Sequence, residues 1–231
     1  DRYSSTAPVP DYRQALGGDL NGLKIGVITE FMESDLVEPK VRQTVSDSFA
    51  TLGELGATVE EVSVPLSMDA GVASAVLLAV EPALAQKDWI KDQLQDYGHD
   101  VRILLLTGSL LPAQAYYKAQ KLRTMLRQQV LDSLEKYDVL VLPTSGKGAQ
   151  PLEQDPPVTS KETASRLAFL FTRIFNLASC PAMSVPCGFD DRGMPVGLQI
   201  GARPGAEETI FKVAHAYEQA TAWHTMRPRG A

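Results

Sequence analysis

The sequence predicts an α/β fold in which a β-sheet is flanked by helices. Three observations carry this expectation. Short apolar runs of strand length occur at residues 23–28, 137–144 and 196–202; longer segments with helical period separate them; and the first elements follow a strand–helix–strand order.

The first apolar run, LKIGVI at 23–28, is a short strand. Pro39 then opens a helical period with Val41, Val45, Phe49, Leu52 and Leu55 on one side, and Gly56 stands where a helix stops. TVEEVSV at 58–64 follows as a second strand, so the two strands of this βαβ unit are expected to lie parallel. Three helical segments come next: about 68–91 with a kink at Pro82, about 98–107, and a long one over about 112–136. In the long segment Tyr116, Ala119, Leu122, Leu126, Val130 and Leu134 form one apolar stripe, while Lys118, Lys121, Arg123 and Arg127 read as a solvated surface. YDVLVLPT at 137–144 is apolar throughout, as a strand buried on both faces would be, and it leads into a loop rich in turn residues. A helix over about 161–177, the strand AMSVP, the turn DDRGMP and the strand VGLQIGA precede a last helix with Ile210, Val213, Ala214 and Tyr217 inward.

FNLASCPAMSVPCGF at 175–189 holds both cysteines. Pro181 and Pro186 exclude a continuous helix there. An extended run of seven residues spans up to about 23 Å, far beyond disulfide reach, so Cys180 and Cys187 are expected to be unpaired. Two lone thiols without a CxxC pair or a neighbouring histidine supply too few soft ligands for zinc.

The 231 residues are 44% hydrophobic, enough to bury a full core, with a net charge of −6 that disfavours a broad nucleic-acid surface or attraction to anionic membrane. No run reaches the roughly 18 apolar residues of a membrane span. Free thiols point to a reducing cytoplasm. His99, His215 and His224 read as surface residues, and no HExxH, Walker A, GxGxxG or GxSxG pattern occurs. The residues alone offer no self-contained catalytic constellation.

Several ordered segments, FNLASCPAMSVPCGF, GMPVGLQIGARPGAEETIFKVAHAYEQAT, YDVLVLPT, AYYKAQKLR and the lead-in STAPVPDY followed by LNGLKIGV, together resemble the C-terminal half of an amidase signature enzyme. Relatives in that family include the amidotransferase subunit that releases ammonia from glutamine for tRNA-linked amidation. The resemblance implies a mixed β-sheet with helices on both faces, with residues 1–22 as a lead-in and 23–231 as the C-terminal part of a single amidase domain. It implies hydrolysis of a carbon–nitrogen amide bond to a carboxylate and ammonia or an amine, without metal or cofactor, by a Ser-Ser-Lys triad carried on a Gly/Ser-rich loop. No such loop is found here, so no catalytic residue is assigned, and the triad is expected upstream of Asp1 or on another polypeptide.

By the same resemblance this half forms the substrate-pocket wall. Arg102 in VRILLLTG matches an arginine that holds the substrate carboxylate in the glutamine-using relatives; a surface or helix-capping role remains its alternative. By spacing from NLAS, Phe169 stands where those relatives place an aspartate that grips the substrate's α-amino group, which favours a more apolar amide. Thr144 and Cys180 complete the candidate substrate-binding set. The implied partners are a small-molecule amide, the N-terminal half of the same enzyme and, as one option, a second copy in a homodimer, with neither nucleic acid nor membrane. The rival readings are a non-catalytic binding module and a tRNA-dependent amidotransferase subunit.

Overall fold

The computed structural model describes residues 6–17, 19–151 and 171–227. Five strands, β1 (Lys24–Ile28), β2 (Thr58–Val62), β3 (Val139–Pro143), β4 (Ala182–Phe189) and β5 (Pro195–Gly201), form one sheet in the order β2-β1-β3-β5-β4. β1 runs parallel to β2 and to β3, whereas β5 is antiparallel to both β3 and β4. The sheet is therefore mixed, and β3 is the strand at which parallel pairing gives way to antiparallel.

The first crossover is α2 (Pro39–Glu54), which ends as the sequence anticipates: Gly56 takes φ +100°, a left-handed conformation that glycine adopts without steric cost. A short α1 (Thr29–Glu33) sits between β1 and α2. Val41, Val45 and Leu52 of α2 are buried against one face of the sheet, where α2 meets β2, β3, β4 and β5. α8 (Glu207–Ala220) joins α2 there, burying Ile210, Val213, Ala214 and Tyr217 as its periodicity predicts. The opposite layer is built by α3 (Ala70–Ala85), α5 (His99–Leu110), α6 (Ala113–Leu134) and α7 (Arg173–Ala178), with α6 packed on β3. α7 comes close enough that a Cβ on Gly201 would collide with the Phe175 ring.

The helix expected over 68–91 is divided. A 3-10 turn at Pro65–Asp69 runs into α3, which ends at Ala85, and α4 (Lys87–Gln93) follows. Pro82 removes one intrahelical donor shortly before that break. Joined, Pro65–Ala85 is 21 residues long and contains an 18-residue window with a mean hydropathy of 1.5, so although Asp69 and Glu81 interrupt its apolar run it is long and apolar enough, by length and composition, to cross a membrane; a packed core helix passes the same test. The strand expected at AMSVP extends to Phe189. Pro186 is accommodated because β4 is an edge strand, and a register irregularity falls between Pro186 and Gly188. The lead-in is tied down at its end: Leu20 is fully buried and donates its N–H to Leu55 O at 2.9 Å. Only the end of the helix expected over 161–177 lies among the described residues, as α7.

Candidate functional site

Strand alternation and register sort the sheet residues by face. Ser184 pairs with Gln199, Pro143 pairs with Leu198, and Thr144 follows β3 opposite Gly197. Thr144, Ser184, Gly197 and Gln199 therefore share one face. The Thr144 Oγ1 and Ser184 Oγ atoms are 2.6 Å apart in a hydroxyl–hydroxyl bond, and a Cβ on Gly197 would come within 2.8 Å of both. Glycine is thus required there to let the two hydroxyls meet. Gln199 is 3% exposed, and its Nε2 has no acceptor among the described residues. An amide donor buried without a partner costs about 1–3 kcal/mol.

The loop after β3 is anchored by its own short bonds. Thr144 N donates to Gly197 O at 2.8 Å, Phe171 N donates to Thr144 O at 3.3 Å, and Glu38 N donates to Gly146 O at 2.9 Å. Phe171 thereby lines a small cleft, partly open to solvent, together with Phe31, Leu36, Ser67, Met68, Gly71 and Arg173. Arg173, in the first turn of α7, has no hydrogen-bond or ion-pair partner among the described residues, and burial lowers its pKa from the usual arginine value.

Cys180 lies elsewhere. It precedes β4, whose first residue Ala182 is four residues from Pro186, the partner of Gly197; at about 3.3 Å per residue this is about 13 Å along the strand from the level of Thr144. Its N–H bonds to Phe175 O at 3.0 Å, and burial raises the thiol pKa, an effect that the charge of Arg127 opposes. A raised pKa keeps the thiol protonated and poorly nucleophilic. Cys187 is buried, with its pKa pushed up to about 12 by burial and by the Asp47 carboxylate. Both cysteines are free, as the sequence spacing predicts.

Arg102 lies on α5, which packs on α3. Its Nη1 donates to Gln95 Oε1 at 2.5 Å, while its buried Nε has no acceptor among the described residues, and it does not line the cleft at Arg173. Phe169 lies outside the described residues. The structure thus brings Thr144 to Ser184 and, through Phe171, to the edge of the Arg173 cleft, and it sets Cys180 and Arg102 apart from that cluster.

Sequence reasoning missed Ser67, Arg173 and Gln199, and it treated Ser184 as structural. The available signal at Arg173 was a cation set among apolar residues in FLFTRIF. It also read Arg123 and Arg127 as solvated. In the structure Arg123 Nε donates to Leu177 O at 3.1 Å and its Nη2 to Ser179 Oγ at 3.2 Å, and Arg127 donates to Ala178 O. Two cations of α6 thus satisfy the last carbonyls of α7, where Ser179 takes the left-handed conformation at φ +54°.

The fold and the cluster define an α/β protein with a mixed sheet, one face of which is closed off by α2 and α8. The chain belongs to the Amidase family, whose profile matches residues 1–211. It is 37% identical over 253 aligned residues to a glutamyl-tRNA(Gln) amidotransferase subunit of Geobacillus stearothermophilus, an alignment that takes in 99% of this chain and 51% of that protein. The crystal structure of the corresponding subunit from Thermotoga maritima superposes with a TM-score of 0.66 at 30% identity, covering 91% of this chain and 45% of the other. A bacterial aryl acylamidase of the amidase signature enzymes shares the fold with a TM-score of 0.79 at 20% identity, over 97% of this chain and 50% of its own. The chain spans about half the length of the curated relatives it matches.

Proposed function

We propose that this chain is the C-terminal portion of an amidase that hydrolyses a carbon–nitrogen amide bond to a carboxylate and ammonia or an amine. The observation that carries this reading is the family match along nearly the whole chain, paired with about half of each relative's length. In this proposal the Ser-Ser-Lys triad belongs to the remainder of the enzyme, and this half supplies pocket wall. The remainder has a surface to join: β4 is an edge strand, and its Ala182 and Ser184 are exposed. Free Cys180 and Cys187 suit a reducing cytoplasm.

A second reading, glutamine hydrolysis within a tRNA-dependent amidotransferase, is favoured by the names of the relatives at 34–38% identity. Phe169, which has no carboxylate to pair with an ammonium group, speaks for apolar amides instead.

The deciding measurement is ammonia release by the full-length enzyme from aliphatic amides, aromatic amides and glutamine, set beside the chain 1–231 alone. Turnover by the full enzyme with apolar amides ahead of glutamine, and none by the isolated chain, is the expected result. Robust turnover by the isolated chain that one substitution within it abolishes would overturn the division of labour. Glutamine as the best substrate would establish the second reading.

A further inference from the structure

The cleft beneath Phe171 has a composition that ordinary packing does not explain. Ser67 is 1% exposed and is among the residues that line the cleft, and its buried hydroxyl has no partner among the described residues. The turn that carries it is fixed from both sides: Ser67 N donates to Val64 O at 2.8 Å, and Leu66 N donates to Gln129 Oε1 at 3.0 Å. The hydroxyl is therefore held in place without a local task. Across the cleft stands Arg173, partly desolvated and without a counter-ion among the described residues. α3 passes close to this guanidinium: a Cβ on Gly71 would lie 3.4 Å from its Nη1, an ordinary contact. Neither unpaired group stabilises the fold, because burial of a polar group costs free energy unless a partner answers it.

We propose that this cleft is a binding site for a small monocarboxylate with a short apolar body. A guanidinium presents parallel N–H donors that match the two oxygens of a carboxylate, and the Ser67 hydroxyl adds a further donor to one of them. One positive group answers one negative charge, which selects a monoanion over a phosphate dianion. Phe31, Leu36, Met68 and Phe171 supply apolar wall for a short hydrocarbon body.

The test uses the full-length protein with hexanoate, its neutral isostere 2-heptanone and inorganic phosphate, followed by isothermal titration. Hexanoate should bind at least about tenfold more tightly than 2-heptanone, as a charge-assisted contact provides, and phosphate should bind more weakly than hexanoate. Arg173→Met should erase the preference for hexanoate over the ketone, and Ser67→Ala should weaken hexanoate a few-fold while leaving the ketone unchanged. In the wild-type protein, hexanoate should also slow modification of Arg173 by phenylglyoxal, read by mass spectrometry, so the claim is checked even where Arg173→Met does not fold. Equal binding of the two probes, a preference that survives Arg173→Met, or unprotected Arg173 would overturn the proposal. Neither readout involves turnover, so failure here leaves amide hydrolysis untouched, and the converse holds.

Discussion

The two faces of the antiparallel half of the sheet differ in how completely their groups are answered. Against α2 and α8, Val185, Val196, Leu198 and Ile200 are closed off from water, each 4% exposed or less. On the other face, among the described residues, Ser184 is exposed, the Thr144 and Ser184 hydroxyls bond to each other, Gln199 holds a buried donor without an acceptor, and Arg173 lies unpaired at the nearby cleft. One face has the economy of a core. The other retains polar groups whose burial weakens the fold, which is how protein surfaces prepared for another molecule are built. The difference teaches that strand alternation separates a fully packed face from one with unanswered polar groups, one residue apart along the same strands.

Substitutions on the two faces should therefore have opposite signatures. Leu198→Ala on the dry face creates a cavity in a packed site and should cost about 2–5 kcal/mol of stability in denaturant unfolding, the largest effect expected. If it costs under about 1 kcal/mol, the face is not packed as described. Next in size is the turn that joins the two strands. Asp190 is 6% exposed; burial pushes its carboxyl up, but bonds from Met194 N at 2.8 Å and from Arg192 outweigh that and hold its pKa below the ordinary value. A group with a depressed native pKa contributes stability above its unfolded pKa and loses that contribution as pH falls through the native one. Unfolding free energy should thus fall on acidification below the ordinary aspartate range, and Asp190→Asn should flatten that part of the profile; an unchanged profile would remove Asp190 from the account. The smallest effect belongs to the polar face. Gln199→Leu discards an unanswered donor and should leave stability unchanged or raise it by about 1 kcal/mol. A loss of several kcal/mol would mean that Gln199 is already satisfied and the contrast between the faces is false.

The apolar periodicities made β1, β3, β5, α2 and α8 legible in the sequence, because burial on one or two faces leaves a period that needs no knowledge of partners. The parallel pairing of β1 and β2 followed from the helix between them. Other features depend on tertiary approach and leave no such mark. Thr144 and Ser184 are 40 residues apart and meet only across β5. Ser67 reads as an ordinary turn serine until α6 brings Gln129 beneath its neighbour, and Arg123 and Arg127 read as solvated until α7 ends beside them. The break at Gln86 was hidden because Pro82 within an apolar run signals a kink or a stop alike.

The position of β3, between a parallel and an antiparallel neighbour, also bears on the expected order of assembly. β4 and β5 are joined by a five-residue turn, a closure on the scale of about 1–10 μs for a hairpin. Covering β5 is expected to be slower, because its ladder to β3 joins residues 55 to 61 apart, from Pro143 with Leu198 to Leu140 with Gly201; the ladder from β3 to β1 reaches across more than a hundred. During that interval the hairpin carries Leu198 and Ile200 on an open strand edge, the arrangement most exposed to pairing with another chain. Contact order thus predicts that the hairpin's exposure to misassembly lasts until residues 139–143 pair with β5.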